Sequence, residues 1–169
     1  MLLPRPALVL FALFGLTACG FQPLYDERGN FFIAHQFAKV QVAPIADRTG
    51  QNLRNSLITQ LYARGRAERP SYRLDTKISE TTSTSLAVRK SALSTRANLK
   101  MTANYSLTKI SNGFELISTS STVAVSYNIL GSQFSTLIAE KNARERATQR
   151  LAEDIFSRLA AMFVGSKTP

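Results

Sequence analysis

Leu99-Lys100-Met101-Thr102-Ala103-Asn104-Tyr105-Ser106-Leu107-Thr108 decides the fold. Its odd positions are apolar or aromatic and its even positions are polar. That period of two belongs to a strand with one face buried and one face wet. The segment on its C-terminal side, Ser111-Asn112-Gly113, is a tight-turn signal, because Asn-Gly tolerates positive φ. A further strand then runs from Phe114 to Tyr127, with Ile117, Val123, Val125 and Tyr127 on one face. On the N-terminal side, Arg89-Lys90 and Ser91-Ala92-Leu93-Ser94 mark a hairpin. Before it, Tyr72, Leu74, Thr76 and Ile78 alternate with Arg73, Asp75, Lys77 and Ser79. The Ser/Thr-rich stretch from Glu80 to Ser85 extends that strand past the usual length.

The apolar face of these strands needs a cover, and two segments supply it. Leu53, Leu57 and Leu61, with Ile58 and Tyr62, form one helical stripe. Asp47-Arg48-Thr49-Gly50 opens this helix, with Asp47 or Thr49 as the expected cap. Gly65 closes it, and a basic segment, Arg64-Gly65-Arg66-Ala67-Glu68-Arg69, leads to Pro70. A second, long helix is predicted from about Leu137 to Val164. Ala143, Ala147, Leu151, Ile155, Leu159 and Phe163 recur there at four-residue steps. Lys141 with Glu145 and Asp154 with Arg158 form i, i+4 pairs. Lys39-Val40-Gln41-Val42-Ala43 is a short strand limited by Pro44. The order β-α-β-β-β-α predicts an α+β fold. It is a two-layer sandwich, a four-stranded mostly antiparallel sheet with two helices on one face.

The ends of the chain add an address. Arg5, the apolar run from Ala7 to Phe14, and small residues before Cys19 have the order of a secretory leader. The run, about ten residues, is shorter than the roughly 20 a membrane span needs. Leu16-Thr17-Ala18-Cys19 is a lipobox pattern, which predicts cleavage between Ala18 and Cys19 and acylation of Cys19, the one cysteine in the chain. Residues 1–18 are therefore read as a removed signal peptide and 19–36 as a lipidated tether. Residues 37–164 are read as a single domain and 165–169 as a frayed tail. Gly20 stands where aspartate favours inner-membrane retention, so the expected address is the outer membrane, on its periplasmic side. Loss of the leader removes Arg5 and leaves a charge of +9, one below the +10 of the whole chain. At that address the anionic partners are phospholipid headgroups, lipopolysaccharide phosphates and acidic proteins, not nucleic acid.

The inventory for catalysis is poor. His35 is the one histidine, no His/Cys/Asp/Glu cluster has metal-ligand spacing, and no Gly-rich phosphate loop or Gly-x-Ser-x-Gly elbow occurs. The expectation is a protein that is not an enzyme, with no catalytic residue, no metal and no cofactor beyond the lipid on Cys19. Ser79–Ser85 and Ser118–Thr122 predict polar strand faces. Such faces suit a water-lined cavity, a sugar-rich ligand or open solvent.

Cys19-Gly20-Phe21-Gln22-Pro23-Leu24-Tyr25 resembles the start of mature LptE-type lipoproteins, especially the alphaproteobacterial branch. The β-α-β-β-β-α order over residues 38–164 is similar to that family as well. The resemblance implies an outer-membrane lipoprotein that partners and plugs an LptD-type β-barrel and assists lipopolysaccharide assembly there. It also implies lipopolysaccharide contact through basic residues. Arg89, Lys90, Arg96 and Lys100, grouped around one predicted hairpin, are the candidates. The rival is a periplasm-facing lipoprotein adaptor that regulates a cell-wall synthase or a lipid-transport complex.

Overall fold

Three strands of fifteen residues each set the dimensions of the domain. The computed structural model describes residues 27–86 and 95–165. The leader 1–18, Cys19, Gly20–Tyr25, the Arg89-Lys90 pair, Ser91–Ser94 and the last four residues lie outside the described residues. In chain order the elements are α1 (Glu27–Ala38), β1 (Val40–Val42), α2 (Asp47–Leu61), β2 (Tyr72–Leu86), β3 (Thr95–Lys109), β4 (Glu115–Ile129) and α3 (Gln133–Gly165). They form an α+β fold with one four-stranded sheet in the order β1-β2-β3-β4. β1 runs parallel to β2, with α2 as the crossover, while β2, β3 and β4 are antiparallel neighbours.

Register converts the alternation of β3 into a layered core. Leu74, Thr76 and Ile78 of β2 stand opposite Leu107, Tyr105 and Ala103. On the other side of β3, Leu99, Met101 and Ala103 meet Val125, Val123 and Ser121 of β4. The odd residues of β3 from Ala97 to Leu107 are all buried. α3 lies across β4 and β3 and beside α2. Ala143, Ala147, Leu151, Ile155 and Leu159 form its buried stripe. A 33-residue helix and a fifteen-residue strand both span about 50 Å, so the two layers match in length.

Polar bonds tie the layers together. Ser121 of β4 donates to Asp154 of α3, and Arg158 Nε donates to the same carboxylate at 2.8 Å. Arg144 bridges Glu80 of β2 at 3.1 Å and Glu140 at 2.5 Å. Burial pulls the Arg144 guanidinium down, and its bonds to Glu80 and Glu140 outweigh that and hold it above its ordinary value. The two ion pairs expected on α3 are present, at 4.0 Å for Lys141–Glu145 and 2.8 Å for Asp154–Arg158.

The structure departs from the sequence reading at four places. Residues 19–36 were expected to be a tether, yet Glu27–Ala38 is a helix. Ile33 and Phe37 lie four apart on it and are buried, with Phe37 against the rings of Phe156 and Phe163. Neither Asp47 nor Thr49 caps α2. Its N-cap is Ala46, with no side-chain bond, and Asp47 has φ +64°, a left-handed value that aspartate tolerates better than most residues. The Asn-Gly turn is wider than two residues. Lys109 N–H donates to the Phe114 carbonyl at 2.8 Å, and Gly113, at φ +69°, supplies the left-handed position. α3 begins at Gln133, four residues before the expected start.

Candidate functional site

Every strand residue that does not enter the core must face the other way. In β2 that set is Arg73, Asp75, Lys77, Ser79 and Thr81. In β3 it is Arg96, Asn98, Lys100, Thr102, Asn104 and Ser106. In β4 it is Ser118, Ser120, Thr122, Ala124, Ser126 and Asn128. No helix covers this face among the described residues. Short hydroxyl and amide side chains dominate it. Such groups both donate and accept, so they can satisfy water or a polar wall equally well.

Side-chain bonds, across strands and within β2, tie residues of this face to one another. Thr102 and Thr122 stand opposite each other and share a hydrogen bond of 3.0 Å. Ser126 Oγ donates to Asn98 Oδ1 at 2.6 Å. Arg73 Nε donates to both Asp75 oxygens, at 3.1 and 2.9 Å. That bond raises the Arg73 guanidinium above its ordinary value. Asp75 is thereby occupied, and Lys77, Lys100 and Arg96 remain as exposed cations that form no ion pair among the described residues. A trough of ≈ 1160 Å³ draws its lining from both faces of the sheet, with Asp75, Lys77 and Asn104 from the polar face and Thr76, Ile78 and Tyr105 from the core face. Residues from Pro44 to Asp47, with Thr49 and Gly50, also line it, and no residue of α3 does.

Of the basic residues singled out in the sequence, Arg96 and Lys100 share this face. They are four residues apart on β3, about 13 Å. Arg96 pairs in register with Asn128, and Lys100 with Ala124. Arg89 and Lys90 lie outside the described residues. Lys77 was missed as a companion. It stands opposite Asn104, and so on the same face as Lys100. The alternation of Arg73, Asp75 and Lys77 was readable, but the register that brings Lys77 beside β3 was not. Among the described residues no cluster of His, Cys, Asp and Glu could hold a metal ion.

The family model for LptE, lipopolysaccharide-assembly, matches residues 37–159. This chain belongs to the LptE family. The match spans the whole sheet and nearly all of α3. LptE is a non-enzymatic family of lipopolysaccharide assembly. Solved structures share the fold. A lipoprotein from Caulobacter crescentus superposes with a TM-score of 0.62 at 22% identity, covering 79% of this chain and 96% of that one. A minor lipoprotein from Acinetobacter baumannii gives 0.56 at 20% identity, covering 73% and 92%. Rare lipoprotein B from Shewanella oneidensis gives 0.58 at 10% identity, covering 76% and 97%. Among curated proteins, none matches this chain in sequence. Identities this low carry the LptE-like fold and leave the surface chemistry to be read from the residues themselves.

Proposed function

We propose that this protein is an outer-membrane lipoprotein, acylated on Cys19 after cleavage at Ala18, that plugs an LptD-type β-barrel and assists lipopolysaccharide insertion. The observation that carries the reading is the uncovered polar face. Its Ser, Thr and Asn side chains lie opposite a complete apolar core, so the face is available to a partner without cost to the fold. The lumen of a large transmembrane barrel is polar, and hydroxyl groups fit a wall of that kind. Strands of about 50 Å exceed the apolar band of such a barrel, about 25 Å tall. The sheet would therefore traverse the lumen and project from it. A two-layer domain also needs a wide barrel, of the plugged class rather than the eight-stranded one.

Lipopolysaccharide contact is the second part of the reading. Arg96 and Lys100, with Arg89 and Lys90 in the adjoining sequence, would pair with lipid A phosphates through charge-assisted bonds. Lys77 extends the same cationic column. The deciding experiment places a photo-crosslinking amino acid at Thr102 or Ser120 and purifies the adducts from detergent-solubilised envelopes. A crosslink to a large β-barrel is the expected result. Recovery of only a peptidoglycan synthase or an inner-membrane ATPase complex would overturn the plug and favour the adaptor.

A further inference from the structure

The basic segment Arg64–Arg69 has no part in the sheet face, and its location gives it a use. Four chain segments meet at one end of the domain. Ala67 N–H donates to Ala38 O at 2.9 Å, at the junction of α1 and β1. Ser71 N–H donates to Lys39 O at 2.9 Å, and Ser71 O accepts Ile110 N–H from the β3–β4 turn at 2.9 Å. Tyr72 meets Phe163, near the end of α3, ring to ring at 5.3 Å. This end gathers Lys39, Arg64, Arg66, Arg69 and Lys109, against the carboxylates Glu68 and Glu115. None of these five cations forms an ion pair among the described residues. Arg66 lies over the Tyr62 ring, 5.5 Å from its centre. Apolar tips project among the charges. Phe114 is 63% exposed, Ile110 48% and Val164 39%.

We propose that this end docks on an anionic phospholipid bilayer. Cations interleaved with exposed apolar tips are the chemistry of an interfacial membrane contact, in which charge meets the headgroups and the tips enter the acyl boundary. An acidic protein or a nucleic acid would answer the charges and leave Phe114 and Ile110 unburied. The contact also supplies a second attachment beside an acyl anchor, since a single chain holds a protein only marginally. It needs no barrel and no lipopolysaccharide, so it stands apart from the reading of the sheet face.

The test uses the full mature chain with Cys19→Ala, which carries no acyl group. Flotation is measured with phosphatidylcholine vesicles, with and without phosphatidylglycerol. The chain should float with the anionic vesicles and stay behind with the neutral ones. Arg64→Glu, Arg66→Glu and Arg69→Glu together should lower the partition by at least about a hundredfold, since losing each basic residue near the surface counts for about a factor of five and each new carboxylate adds repulsion. Phe114→Ser should weaken it further, while Lys77→Glu with Lys100→Glu on the sheet face should leave it unchanged. Absence of flotation with anionic vesicles overturns the proposal, as does an equal loss from the sheet-face pair. If the triple variant does not fold, Lys109→Glu with Phe114→Ser on the exposed turn decides the same question.

Discussion

Asp154→Ala removes a carboxylate that joins β4 to the middle of α3. Ser121 is 1% exposed, so its hydroxyl has no water to turn to when that acceptor is lost. A hydrogen bond to a charged group contributes about 1.5–3 kcal/mol when sheltered. The Asp154 side chain is 39% exposed, and screening lowers this bond to about 1 kcal/mol. Stranding the Ser121 hydroxyl costs about 1 kcal/mol more. Asp154→Ala should therefore lower the unfolding free energy by about 2 kcal/mol, and Ser121→Ala by about 1 kcal/mol. The double variant should cost no more than Asp154→Ala alone, a coupling of about 1 kcal/mol in urea denaturation. The Ser121 bond holds the Asp154 carboxyl below its ordinary value, burial opposes it, and Arg158 assists it. A folded pKa below the unfolded one means that the stabilisation is complete above the unfolded value, about 4, and is lost as pH falls through the folded value. The gap between wild type and Asp154→Ala should thus close in acid. Two single costs that simply add, at neutral pH, would refute the reasoning.

Three further outcomes are expected. Gly50→Ala places a Cβ 2.6 Å from Ile45 Cγ2 and 3.1 Å from the Ile45 carbonyl carbon. The overpacking penalty, about 1–3 kcal/mol, exceeds the helix-propensity gain of about 1 kcal/mol. The melting temperature should fall by about 3 °C or more. Tyr105→Phe removes a buried hydroxyl that has no hydrogen-bond partner among the described residues, so urea denaturation should show a stability unchanged or raised by up to about 1 kcal/mol. A clear loss would mean that the hydroxyl is bonded after all. Arg96→Ala with Lys100→Ala should weaken lipopolysaccharide capture while leaving the melting temperature in place, because both side chains are exposed; undiminished capture removes them as contacts.

Most of the fold was legible because the core face of β3 is strictly apolar and the strands on either side alternate in step with it. Leu99 to Leu107 announce β3, and Leu53, Leu57 and Leu61 announce α2, without any knowledge of partners. α1 was not legible, since the buried residues described on it, Ile33 and Phe37, make one four-residue step, too short to stand out as a helical stripe in the sequence. The cap of α2 was misread for a related reason. Asp47 has the chemistry of a cap, but its backbone takes the left-handed value and the extended N-cap conformation falls on Ala46. The site was half legible. Its residue types were plain in Ser79–Ser85 and Ser118–Thr122, but a face is made by register. Only the pairing of Lys77 with Asn104, and of Lys100 with Thr81 and Ala124, places those residues on one surface.

The same pairing explains why the polar face can be long without being fragile. A slip of one residue between β3 and β4 would carry Met101 and Leu99 out of the core and Thr102 and Lys100 into it, because side chains alternate with a period of two. The apolar face therefore enforces the register, and the hydroxyl face inherits it without having to specify it. Short side chains then cost little entropy to hold in place, and pairs such as Thr102–Thr122 remain bonded whether water or a partner lies above them. A face built from lysines and glutamates would need long side chains frozen on binding, at a larger entropic cost for each one immobilised. Hydroxyls on a pre-set register let the domain keep one structure with its face in water and with its face against a polar wall. That property suits the barrel-plug role proposed above, in which the face must be formed before a partner covers it.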